Sequence, residues 1–251
     1  MSLLEAIAVF IAGMAAGTIN TIVGSGTLIT FPTLLAVGYP PVLANVSNTV
    51  GLVPGSLSGA LGYRPELAGQ SRRLIRLGIG SAAGGLTGGL LLLWLPESAF
   101  AAVVPVLIGL GCVLVVGQPW ISKRVSGSRD VPEHGSALVW ALVFAAGVYG
   151  GYFGAAQGVL LVAILGIGLD ETVQRVNAAK NVLALTVNGV AAALFIVISD
   201  VSWRAAGIIA LGSVLGGQLG ARVGRRLPAP VFRATVAVIG VVAIAKLVWF
   251  D

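Results

Sequence analysis

Apolar residues run through this chain in long blocks, and the polar positions between them fall into short clusters. Reading the blocks against their glycine, proline and charged punctuation predicts ten helical segments, at about 3–22, 27–37, 42–62, 74–95, 99–117, 136–153, 159–167, 173–198, 203–221 and 230–250. Most are long enough to cross ~30 Å of hydrocarbon at ~1.5 Å per residue. Segments 27–37 and 159–167 are too short for that. Each follows a glycine-containing break, Gly24-Ser25-Gly26 in the first case and Gly154-Ala155-Ala156-Gln157-Gly158 in the second. The expected fold is therefore an all-α integral membrane protein.

The two breaks occupy equivalent places in two halves of the chain. Gly17-Thr18-Ile19-Asn20-Thr21 aligns weakly with Gly147-Val148-Tyr149-Gly150-Gly151, and Asn45-Val46-Ser47-Asn48-Thr49 with Asn177-Ala178-Ala179-Lys180-Asn181. This predicts a first transmembrane repeat over 1–117, a cytoplasmic linker over 118–135 and a second repeat over 136–251. Each repeat holds a broken, short helix pair followed by three spans.

Composition agrees with a bilayer as solvent. Hydrophobic residues make up 57% of the 251 and charged residues only 10%, too few to cover a water-soluble surface. Residues 1–60 contain no Lys or Arg, so the first block is expected to be a retained span rather than a cleaved signal. The net charge of +6 sits in loops, which argues for topology and against nucleic acid. In the first repeat the basic connection follows the third segment (Arg64, Arg72, Arg73, Arg76). In the second repeat the equivalent connection carries Asp200 and Arg204, and the next one carries Arg222, Arg225 and Arg226. Basic loops favour the cytoplasm, so the repeats are expected to have inverted topology with both termini outside. Trp94, Trp120, Trp140, Trp203 and Trp249 fall near segment ends, as interfacial anchors do.

Candidate chemistry gathers at the breaks. A half-helix N-terminus presents free N–H groups and a positive dipole end, which suits an anion; the carbonyl end of the preceding helix would suit a cation. Lys180 lies within an apolar stretch and shares a helix face with Asn177, Asn181 and Asn188. A charge in such a place either faces a cavity or snorkels to the interface. Together with Asn20, Gly24, Ser25, Gly26, Thr27, Asn48, Thr49 and Gln157, these residues (Asn177, Lys180 and Asn181) form the expected substrate-binding set. The polar side chains among them also suit plain interhelical hydrogen bonding. Lys246, near the chain end, reads as snorkelling. Cys112 reads as a packing residue and His134 as a solvated loop residue. No nucleotide-binding loop and no His/Cys metal spacing is present, so neither enzymatic activity nor a metal or cofactor is expected.

At Gly17–Pro32, Asn45–Thr49, Ser58–Arg64, the Gly147–Gly158 break and Ala179-Lys180-Asn181 the chain resembles the TauE/SafE sulfite exporters, also called TSUP or DUF81 anion permeases. The resemblance covers nearly the whole chain. It implies a transporter of sulfite, sulfonates or related small sulfur-containing anions, commonly an exporter, in a bacterial inner membrane. Alternating access around a site between the repeats is the expected mechanism. An anion channel and a non-transporting membrane assembly subunit are the alternatives.

Overall fold

The computed structural model describes residues 1–125 and 135–223 together with Val238. Nine helices occupy them: α1 (Leu3–Ile22), α2 (Thr27–Ala36), α3 (Pro41–Gly62), α4 (Ser71–Trp94), α5 (Glu97–Val125), α6 (Ala137–Tyr152), α7 (Gln157–Gly168), α8 (Val173–Ile198) and α9 (Trp203–Val223). A single 3-10 turn over Arg64–Leu67 follows α3, and no strand occurs among the described residues. The segment expected at 230–250 and the residues Arg129, His134, Arg225, Arg226, Lys246 and Trp249 lie outside the described residues.

α1, α4, the Glu97–Gly117 part of α5, and α8 are each long and apolar enough to cross a membrane. The sequence ends the fifth segment at 117, where the apolar run stops. The helix itself continues to Val125, into the stretch assigned to the linker. Membrane burial demands apolar residues, whereas helical hydrogen bonding beyond the bilayer does not. Helix starts follow local chemistry. Ser2 caps α1 and exchanges hydrogen bonds with Glu5 in a capping box, while Ser136 and Thr172 cap α6 and α8.

Packing pairs the halves. α1 lies along α9 and α6 along α4; α3 packs on α9 and α8 on α4; α1 holds α2, α6 holds α7, and α3 meets α8. Exchanging α1 with α6, α2 with α7, α3 with α8 and α4 with α9 returns the same set of neighbours. The long contacts depend on bare glycine surfaces. A Cβ on Gly17 would stand 2.3 Å from the Ser213 carbonyl oxygen, and one on Gly88 would stand 2.0 Å from that of Val148. Small residues of this kind let membrane helices touch backbone to backbone.

These contacts fix which connections share an end of the bundle. α1 and α3 run parallel to α9, and α6 and α8 run parallel to α4. At one end the α3–α4 connection meets the start of α8. Glu171 accepts from Arg73 Nη1 at 2.7 Å and from Arg175 Nε at 2.6 Å, while Arg175 Nη1 donates to the Ala68 carbonyl at 3.0 Å. Burial alone would raise the Glu171 carboxyl, but the hydrogen bonds and charges of Arg175 and Arg73 outweigh it and hold the group below the usual carboxylate range. At the other end the Ser202 N–H donates to Ser47 Oγ at 2.9 Å, and Ser202 Oγ lies 3.2 Å from Tyr39 Oη. The α3–α4 and α8–α9 connections thus stand at opposite ends. α1 with α2 forms a hairpin that enters and leaves by the Tyr39 end, and α6 with α7 forms one that uses the arginine-rich end.

Trp94, Trp120 and Trp203 are exposed near helix ends or the limit of the apolar span, as the sequence suggests. Trp140 instead stacks on Phe144 and donates Nε1–H to the Arg76 carbonyl.

Candidate functional site

The tips of the two hairpins meet. Gly158 N–H donates to the Gly24 carbonyl at 3.0 Å, and a Cβ on Gly24 would stand 2.3 Å from Gly158 Cα. Gly24 is also left-handed (φ +89°), a conformation that side chains resist. Both restrictions require glycine there. The contact places Ser25 and Gln157, each one residue away in sequence, beside the same junction.

Around the start of α2 the free groups are donors. The N–H groups of Ser25, Gly26 and Thr27 make no backbone hydrogen bond, as the first turn of a helix dictates. Ser25 Oγ is fully buried without a partner, and Gln157 Nε2 is buried without one. Gln157 lies over Gly150, where a Cβ would come within 2.5 Å of its amide nitrogen. Asn48 holds the neighbouring hydroxyls: its Nδ2 donates to Thr27 Oγ1 at 3.3 Å, and its Oδ1 accepts from Thr30 Oγ1. Thr30 is absent from the expected set, although its spacing of three from Thr27 puts both on one helix face.

Lys180, Asn177 and Asn181 converge elsewhere, on the carbonyl end of α1. Lys180 Nζ donates to the carbonyls of Asn20 at 3.0 Å and Thr21 at 3.1 Å; the side-chain amides of Asn177 and Asn181 each donate to Thr21 O at 3.3 Å. Lys180 is 0% exposed, so it does not snorkel. Its ammonium meets the negative end of the α1 dipole, a favourable arrangement for a cation. In the other half Asn45 Nδ2 donates to the Tyr152 carbonyl at 3.0 Å, serving α6 as Asn177 serves α1. Backbone acceptors such as Thr21 O carry no sequence signal, because every residue has one.

Two expected residues, Thr49 and Asn20, stand apart from these groups or at their edge, as does Asn188. Thr49 returns its hydroxyl to the Asn45 carbonyl of its own helix at 2.9 Å. Asn20 is half-buried and donates through Nδ2 to Ser56 Oγ at 3.2 Å, while its carbonyl serves Lys180. Asn188 shares the α8 face but is only half-buried. A cavity of about 510 Å³ opens at the Tyr39 end between the start of α3, the α4–α5 turn and the end of α8, with Val42, Glu97 and Asp200 in its wall; none of the candidate residues lines it.

Comparison with known proteins adds an independent line. A family model described as sulfite exporter TauE/SafE matches residues 9–247. A probable membrane transporter protein of Haemophilus influenzae is 28% identical over 246 residues, covering 96% of this chain and 93% of that protein. The probable membrane transporter protein YfcA of Escherichia coli K12 is 26% identical over 250 residues, covering 96% and 88%. A probable membrane transporter protein of a Sinorhizobium species is 27% identical over 243 residues, covering 95% and 90%. The chain, a multi-pass helical bundle matched by this family model over nearly its full length, belongs to the sulfite exporter TauE/SafE family of membrane transport proteins.

Proposed function

We propose that the chain is a secondary transporter of small sulfur-containing oxyanions, sulfite or sulfonates, working as an exporter by alternating access around the junction of its two hairpins. The observation that carries this reading is the set of unpaired donors at the hairpin junction: the N–H groups of Ser25, Gly26 and Thr27 and Ser25 Oγ at the start of α2, with Gln157 Nε2 at the start of α7. Buried donors without acceptors are costly, and an oxyanion supplies several acceptors at once. The helix dipole adds to the attraction for negative charge. Asn48 fixes the Thr27 side chain beside them. Lys180 brings an ammonium from the far side of the break, where Asn177 and Asn181 hold the α1 end.

The arrangement of the halves supports inverted repeats. Neighbours are preserved when the halves are exchanged, and the two hairpins enter from opposite ends. The arginine-rich end would be cytoplasmic in a bacterial inner membrane, with both chain termini outside. Rocking of one repeat against the other would open the junction to each side in turn.

A thermal-shift screen of the purified protein tests the binding chemistry. Sulfite and alkanesulfonates are expected to raise the melting temperature, since a ligand bound only by the folded state stabilises it. Chloride at equal ionic strength is expected to have no such effect. A flat response across all oxyanions would remove the anion site.

A further inference from the structure

The groups around Lys180 are those of a cation site. Its ammonium sits on the carbonyl oxygens of Asn20 and Thr21, at the negative end of α1. A further acceptor, Asn177 Oδ1, is buried there without a partner, on a residue that is 8% exposed and whose amide nitrogen touches the same Thr21 carbonyl. Oxygen acceptors at the C-terminal end of an interrupted helix are what a transported cation requires. In this chain a side-chain ammonium already occupies the place.

Among the described residues no counter-charge accompanies it. Of the elements packed on α8, α3 and α7 carry no titratable side chain, and α6 carries only Tyr149 and Tyr152. α4 brings Arg72, Arg73 and Arg76, and the 3-10 turn brings Arg64 and Glu66, all toward the arginine-rich end. α1 has only Glu5, at its distant start. On α8 and just before it, Glu171 is paired with both Arg175 and Arg73, and Asp170 lies beside Glu171 in the connection at the arginine-rich end. Among the described groups the proton on Lys180 is therefore held by neutral oxygens alone, and an anion at the junction is the partner that completes its electrostatics.

We propose that Lys180 is the coupling residue of the transporter, its ammonium proton being the ion that crosses with the anion. This rests on the anion-carrier reading above. The amine takes a proton from water on the side where the junction is open and keeps it while the anion is bound. Both leave on the other side, the proton returning to water. One proton and one monoanion cross together, so the movement is electroneutral and runs outward whenever the anion's outward gradient exceeds the inward proton gradient; the empty carrier returns with a neutral amine. Linkage makes the effect reciprocal: the proton strengthens anion binding as much as the anion strengthens proton binding.

Methanesulfonate is the probe, because it stays a monoanion throughout the working pH range and carries no proton of its own. In proteoliposomes of the full chain, an inward proton gradient is expected to drive its accumulation, and an imposed membrane potential is expected to leave it unchanged. Its affinity is expected to weaken as pH rises, approaching about tenfold per pH unit, the limit for one linked proton. Lys180→Arg, which keeps its charge at all working pH values, is expected to flatten that slope and abolish gradient-driven accumulation. Lys180→Gln is expected to flatten it at weaker affinity. Wild-type flux without proton movement, or a wild-type slope retained in Lys180→Arg, would overturn the coupling role while leaving the anion carrier standing. Absence of any wild-type methanesulfonate or sulfite flux would instead remove the carrier reading on which it rests.

Discussion

Ser25 is the residue whose structural and functional roles separate most cleanly. Its hydroxyl is buried yet bonds to nothing in the chain, so folding gains nothing from it. Removing a buried polar group that has no partner relieves a desolvation cost of ~1–3 kcal/mol, whereas removing a donor to a bound anion forfeits ~1.5–3 kcal/mol. Ser25→Ala without ligand is therefore expected to melt no lower than the wild type, and to bind sulfite at least about tenfold more weakly, measured by titration calorimetry. Lys180 differs, because its ammonium serves both the α1 carbonyls and the proposed coupling. That dual position was only half legible in the sequence. A lone lysine among asparagines on one helix face announces a buried charge, but its acceptors are main-chain oxygens, and nothing in a side-chain pattern points to them.

Among the helices, those with clear periodic or compositional limits were readable nearly to the residue, as α8 at 173–198 illustrates. The short partners α2 and α7 were also evident, because a glycine break followed by ten or twelve apolar residues has few other readings. The continuation of α5 to Val125 was not, since helix outside the bilayer leaves no hydrophobic mark. Nor was the clamp that ties the α3–α4 connection to α8, which joins Arg73 to Glu171, 98 positions away. Glu171 at its centre has a carboxyl held below its ordinary range. Its contribution is thus complete at neutral pH and fades as pH falls through the lowered folded value. Glu171→Gln is expected to cost ~2 kcal/mol at neutral pH. Melting curves across an acid series are expected to show the wild type losing this increment and the variant lacking that step.

For the molecule as a whole, function turns on how the halves meet. Two hairpins entering from opposite ends touch through Gly24 and Gly158, and the donor-rich start of α2 and the acceptor-rich end of α1 lie on either side of one break. Such a site serves a carrier if each opening exposes it to one side only. Counterflow of labelled sulfite into proteoliposomes preloaded with unlabelled sulfite tests this most directly. A carrier gives saturable uptake that rises when substrate is present on the far side and is depressed in Ser25→Ala. Uptake that neither saturates nor responds to substrate on the far side would contradict the account.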